Sequence, residues 1–328
     1  MHPKIPNISK WGFVSGRISV LEAGFMPKEF FLAIAGQEHT DDIIRNLQDT
    51  CIKDYYSTGI LSDELDNVFD RCFYDMALSL RNDCPSPIPA DIFLLKYDYQ
   101  NLKVALKGKS TFLFTTEFLP QERLLAIAQG NYTELPQPLK ESTTPALFEA
   151  FQTDSGIIDI VLDGAYLRHL LLLADEIQSP MIKRYIKEMV LAYAVIILWR
   201  AVNQGIPLKR YQQHLLPLGD FNGVVNDLIG ANNQESWQAI IGGGIGDLFN
   251  ESLGSRADDQ ISVFNLKISN YLGKIARDGR YQTAGPERVF AFLSGFLVEM
   301  QNLKLVFTGR LNRIEQGIIK ERLRDCYV

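Results

Sequence analysis

A polar sentence that the chain writes twice limits its fold more than any other feature. Asp98-Tyr-Gln-Asn-Leu-Lys-Val-Ala-Leu-Lys-Gly-Lys109 returns as Glu299-Met-Gln-Asn-Leu-Lys-Leu-Val-Phe-Thr-Gly-Arg310, with acid, Gln, Asn, Leu, Lys, Gly and a terminal base in register. A weaker copy lies between them, Leu191-Ala-Tyr-Ala-Val-Ile-Ile-Leu-Trp-Arg-Ala201, where Arg200 takes the place of Lys107 and the other polar positions are apolar. Internal repeats of this kind mark modules that bury their apolar faces against one another, so they are settled before any fold is assigned.

One fixed offset extends the repeat well beyond the motif. It places Phe25-Met-Pro-Lys-Glu-Phe-Phe-Leu-Ala-Ile-Ala35 on Phe118-Leu-Pro-Gln-Glu-Arg-Leu-Leu-Ala-Ile-Ala128 without a gap, Asp66 and Asp70 on Asp159 and Asp163, and Phe73 on Tyr166. The third copy is looser and carries a small insertion between Tyr271 and Asn302. The pattern predicts three helical lobes, 1–112, 113–205 and 206–328, each of about 100 residues and large enough for its own core.

The spacing of apolar residues predicts helices and no sustained strand; the nearest strand candidate, Thr111-Phe-Leu-Phe-Thr115, is short and isolated. Leu61, Leu65, Val68, Phe69, Cys72, Phe73, Met76 and Leu80 recur at three and four and predict a helix over 61–80, with Asp63, Asp66 and Asp70 on its wetter side. Pro27 suits the first turn of a short helix that Gly36 closes, and Ile43, Ile44 and Leu47 share a face of another beginning near Thr40. After the proline-rich 82–89 connector a helix is expected from Asp91 to Lys107, capped by a left-handed Gly108. The second copy repeats this order: a helix over 120–129, a loop through Pro136, Pro138 and Pro145, and helices over 157–175 and 182–202. The third is expected to carry a flexible glycine-rich loop at Gly242–Gly246 and helices over 263–273 and 286–309, followed by a closing helix, 315–326, whose Glu321-Arg-Leu echoes Glu122-Arg-Leu and which could pack against the first lobe. The fold class is all-α.

Hydrophobic content of 46%, charged content of 22% and a net charge of −6 describe an ordinary globular chain and argue against free nucleic acid as a partner. The longest unbroken apolar run, Met189 to Trp199, is short of the roughly 20 residues a bilayer demands and is expected to be a buried helix. No secretory apolar segment opens the chain, and Cys51, Cys72, Cys84 and Cys326 show no CxxC spacing, so a cytosolic setting with packing thiols is expected.

Signals for chemistry are thin. Gly108-Lys109-Ser110 has the tail of a phosphate loop, but position 103 is Lys and the helix precedes it instead of following. Gly242–Gly246 fails the dinucleotide pattern at Phe249. His2, His39, His169 and His214 lack metal-ligand spacing, and no metal or cofactor is expected. The carboxylate pairs Asp66/Asp70 and Asp159/Asp163 are read either as a metal or acid–base device or, more simply, as a solvated or lobe-bridging face; the third copy has Phe264 and Ile268 there. Asp98, Asn101, Lys103, Glu299, Asn302 and Lys304 are candidates for partner binding, against the alternative that they satisfy one another at lobe junctions.

With the repeated acid-x-x-Asn-Leu-Lys helices, the Gly-Lys and Gly-Arg ends, the early Gly16-Arg17 and Met-Pro-Lys-Glu, Leu47-Gln-Asp-Thr50 and the closing Ile-Lys-Glu-Arg-Leu-Arg-Asp-Cys-Tyr-Val, the chain resembles the C subunits of archaeal and bacterial V-type rotary ATPases, whose eukaryotic relatives are the d subunits. The likeness runs over nearly the full length and is most specific across 286–328. It implies a funnel of three lobes without catalytic residues or bound nucleotide, peripheral on the cytoplasmic face of the membrane. There it would couple the D and F shaft proteins to the proteolipid ring in proton or sodium transport, with ATP turned over elsewhere, in the A and B head. The middle copy departs from the motif, which speaks against equivalent partner contacts by all three lobes. The other readings are a free-standing helical-repeat scaffold and, more remotely, a nucleotide enzyme.

Overall fold

The computed structural model describes residues 8–37, 40–47, 50, 52–53, 62–109, 113–131, 135, 140, 153–231 and 233–328. Its α-helices are α1 (Gly12–Leu21), α2 (Lys28–Ala35), α3 (Thr40–Leu47), α4 (Ser62–Asp83), α5 (Ile88–Leu106), α6 (Gln121–Ala128), α7 (Gly156–Glu176), α8 (Pro180–Asn203), α9 (Lys209–Leu215), α10 (Asn222–Ala231), α11 (Gln234–Trp237), α12 (Gly243–Leu253), α13 (Gln260–Arg277), α14 (Pro286–Leu311) and α15 (Gln316–Glu321). No strand occurs among the described residues, in line with the all-α expectation. Expectations for His2, His39, Cys51, Ser110, Thr111, Phe112, Pro136, Pro138, Pro145 and the side chains of Ile43, Ile44 and 61–66 lie outside the described residues.

The chain forms two compact units, one of Met1–Phe93, Ser179–Tyr185 and Ser255–Val328, the other of Leu94–Gln178 and Ile186–Gly254. This partition differs from the three sequence segments: α5 and α8 each begin in the first unit and end in the second.

In the first unit α14 is the axis. It is apolar around almost its whole circumference from Val289 to Val298, and a helix segment of that composition is stable only when covered on every side. Helices α1, α2, α3, α4, α13 and α15 and the 3-10 turn Asp278–Tyr281 all lie against it. Aromatic rings fill the α4 contact, with Phe69 and Phe307 centroids 5.5 Å apart and Phe73 stacked on Phe296 at 6.3 Å. By length and composition α14 could cross a membrane, but 78% of its most apolar window is buried inside the protein, as in the core helix of a globular domain. Pro286 starts it, and Gly279 comes so close to the Glu287 carbonyl that a Cβ there would overlap it.

In the second unit the end of α5, α6 and α7 share a core of Tyr99, Leu102, Ala105, Leu119, Leu124, Ile127, Ile158, Val161, Leu162 and Ala165. Helix α9 crosses α7 at Gly164, which faces the His214 carbonyl, and Arg168 donates to the carbonyls of His214, Leu215 and Leu216 at 3.0, 3.3 and 3.3 Å, tying down the end of α9. The apolar 189–199 run is buried within α8, where Trp199 meets Phe249 at 4.8 Å.

Several expected boundaries shift. The helix predicted from Asp91 begins at Ile88, because Pro89 falls in its first turn, where a missing N–H costs nothing. The glycine run forms the first turn of α12 instead of a flexible loop, and Gly246 is held there by contact with the Ile241 carbonyl. The closing helix stops at Glu321; beyond Leu323 the chain leaves helical hydrogen bonding, and the side chains of Asn302 and Asn270 take the N–H groups of Arg324 and Asp325. The helix that remains, α15, packs on α2 as well as on α14.

Candidate functional site

The repeated motif occupies equivalent places in the two units. In the second unit Asn101 is 2% exposed on α5; its Nδ2 donates to the Phe114 carbonyl at 2.6 Å and its Oδ1 accepts the Phe114 N–H at 2.9 Å. In the first, Asn302 on α14 is fully buried; its Nδ2 donates to the Arg324 carbonyl at 3.1 Å and its Oδ1 accepts the Arg324 N–H at 2.9 Å. Each asparagine therefore behaves like a strand neighbour for a single residue of an extended segment, the amide group matching a peptide unit donor for acceptor.

The acids lie one helical turn before the asparagines. Glu299 is 4% exposed and its Oε2 accepts the Met26 N–H at 3.0 Å; Asp98 is 7% exposed. The lysines lie half-buried and meet carboxylates: Lys103 pairs with Asp163, Lys304 with Asp70 at 3.3 Å, and Lys107 with Asp159 at 2.6 Å. Burial holds the Asp163 carboxyl above the usual carboxylate range, and Lys103 beside it pulls the other way. Asp70, Asp159 and Asp163, considered above as members of acid–base pairs, thus serve as counter-ions to the motif lysines. No group of three or more metal-ligating side chains lies together among the described residues.

Asp98, Asn101 and Lys103 come together in one unit, and Glu299, Asn302 and Lys304 in the other, each set engaged inside its own unit. The bonds of Asn101, Lys103, Glu299, Asn302 and Lys304 run to Phe114, Asp163, Met26, Arg324 and Asp70, and not to one another. A further polar cluster is invisible in the sequence: Arg288 pairs with Glu22 and donates to the Arg280 carbonyl, and the Tyr327 hydroxyl donates to Glu22. Burial and Glu22 push the Tyr327 hydroxyl well above its ordinary value, so it stays a donor. The Cys84 thiol is pushed up to about 12 and that of Cys326 to about 11, mainly by burial, which makes both poor nucleophiles; Cys72 is buried. The positional match of Glu122 with Glu29 was visible in the sequence, but nothing in its spacing announces Glu22.

The described residues thus define an all-helical protein whose polar motif ties its own helices together. Comparison with known proteins gives the family. The family model described as "ATP synthase (C/AC39) subunit" matches residues 14–322. The C subunit of the V-type sodium ATPase of Enterococcus hirae is 21% identical over 326 residues, which cover 93% of this chain and 95% of that protein. The chain belongs to the ATP synthase (C/AC39) subunit family, which supplies the C subunits of V-type ATPases.

Proposed function

We propose that the chain is a non-catalytic central-stalk component of a V-type ATPase or ATP synthase, placed at the cytoplasmic face of the membrane, where it couples the D and F shaft proteins to the proteolipid ring. The observation that carries this reading is the span of the family match, 14–322, which takes in the whole repeated body. The name of the Enterococcus hirae relative supports a sodium-coupled complex as one form of this role, with proton coupling as the other.

A part that transmits torque has to resist shear between its helices. Side-chain clamps that grip backbone, as Asn101 and Asn302 do, and ion pairs such as Lys103 to Asp163, which join helices far apart in sequence, suit that demand. In this reading the three sequence repeats supply three lobes, and Asp98, Asn101, Lys103, Glu299, Asn302 and Lys304 act on partners indirectly. They fix helices whose ends, 108–109 and 311–313, are exposed, and Lys109 and Arg313 there carry the contact.

The test is co-elution on a sizing column, first with the purified D and F pair, then with detergent-solubilised proteolipid ring. Both complexes are expected to form. If neither forms while circular dichroism shows the helices intact, the coupling role is wrong and a free-standing helical scaffold takes its place.

A further inference from the structure

The two asparagine clamps hold segments that differ in one respect. In the second unit, the clamped residue Phe114 is followed by Thr116, whose hydroxyl donates to the Leu119 carbonyl at 3.2 Å, and then by Pro120 and α6. Linker and helix are one continuous peptide. In the first unit, the clamped residue Arg324 is followed by Asp325, Cys326, Tyr327 and Val328, while the helix that matches α6 is α2, hundreds of residues earlier in the chain.

The match between α2 and α6 is detailed. Each has eight residues and begins directly after an extended proline, Pro27 or Pro120. Met26, Phe31 and Ile34 are buried in the first unit as Leu119, Leu124 and Ile127 are in the second.

What joins 322–328 to the start of α2 is a set of side-chain contacts. The Tyr327 ring stacks on Phe25 with centroids 4.6 Å apart, and it lies so close to Gly295 of α14 that a Cβ there would overlap it. Its hydroxyl donates to Glu22, its carbonyl accepts from Arg280 at 3.3 Å, and the Arg280 guanidinium stands 5.1 Å from the ring centroid. The Asp325 N–H donates to Asn270 at 3.0 Å, and Lys28 in the first turn of α2 lies 3.9 Å from the Asp325 carboxylate.

We infer that residues 322–328 are a strap that replaces, without a covalent bond, the peptide linker found between α5 and α6, so that α1–α2 are latched to α14 through Tyr327 and can be released as a piece. A covalent linker cannot let go, whereas this joint can open when the Tyr327 ring and its hydrogen bonds detach together with the faces that α1 and α2 pack on α14, and local openings have free energies that reach at most that of global unfolding.

Amide hydrogen exchange on the full chain tests the inference. In Tyr327→Ala the amides of Phe30–Ala35 should exchange at least about tenfold faster than in the parent, with the matching amides of α6, Arg123–Ala128, unchanged. Unchanged exchange in α2, or equal acceleration in α2 and α6, overturns the strap. Should Tyr327→Ala fail to fold, Tyr327→Phe keeps the ring and deletes only the bond to Glu22. It should accelerate α2 selectively by a smaller factor, and acceleration equal in both helices, or absent, again refutes the inference.

Discussion

At the scale of the residue, the telling side chains are asparagines that act as backbone. Asn302→Ala removes both hydrogen bonds to the Arg324 peptide and leaves its groups beside a cavity, a loss of about 2 kcal/mol, and Asn101→Ala should cost a similar amount at Phe114. Urea denaturation checks both, and a loss below about 0.5 kcal/mol at either site would mean that water replaces the clamp. The presence of these asparagines was legible in the sequence, but their partners were not, because a side chain gives no sign of which distant peptide it grips. His169 carries a second residue-scale expectation. Burial lowers its pKa from 6.5 to about 4, and the Tyr99 hydroxyl lies 3.4 Å from its Nδ1. The unfolded chain therefore binds a proton at this site at higher pH than the folded one. Its contribution is fully present above about pH 6.5 and is lost as pH falls toward 4, by up to about 3 kcal/mol. His169→Phe should flatten the stability profile across that window, and an unaltered slope would show that His169 titrates normally.

At the scale of the element, helix interiors follow from spacing, whereas helix ends depend on tertiary competition. Gly108 ends α5 as its position suggested: φ is +69°, and the Lys109 N–H reaches the Val104 carbonyl at 3.0 Å. Its counterpart in the repeat, Gly309, does something else. α14 runs on to Leu311, Arg313 takes the left-handed conformation at φ 55°, and Gly309 leaves room for Ile319 of α15, whose Cδ1 would lie 2.8 Å from an added Cβ. Identical residues in register thus serve different ends, which no reading of the repeat could separate. Gly108→Ala should cost about 1 kcal/mol through backbone strain alone, leaving α15 untouched. Gly309→Ala should gain helix propensity but lose more, about 1–3 kcal/mol, by pushing Ile319 away, and exchange of the α15 amides should rise. If the two substitutions behaved alike, Gly309 would be no more than a helix cap. The truncated closing helix has a related cause: Asn302 and Asn270 offer the 324–325 amides better partners than another helical turn would.

At the scale of the whole molecule, the repeat acts as a wiring rule. Lys103 of the first copy pairs with Asp163 of the second, and Lys304 of the third pairs with Asp70 of the first. In the sequence, the position that matches Lys103 in the middle copy is Ile196, and the position that matches Asp70 in the third copy is Ile268. A double-mutant cycle on Lys304 and Asp70 should give a coupling of about 0.5–1 kcal/mol, modest because both side chains are about one-third exposed, and a coupling of zero would leave the pair no part in joining the copies. The all-α class and the family were readable from sequence because both rest on patterns spread along the chain. The division into two units was not, since it depends on helices α5 and α8 passing from one unit to the other.

The claim that this protein couples rotation to transport is met most directly by a reconstituted complex in which ATP hydrolysis and ion uptake into vesicles are measured together, with the chain present and with it withheld. The account predicts that without the chain the head still hydrolyses ATP while uptake falls to the leak level, and that adding the chain back restores uptake. Full uptake without the chain, or loss of hydrolysis by the isolated head that only the chain restores, would contradict it.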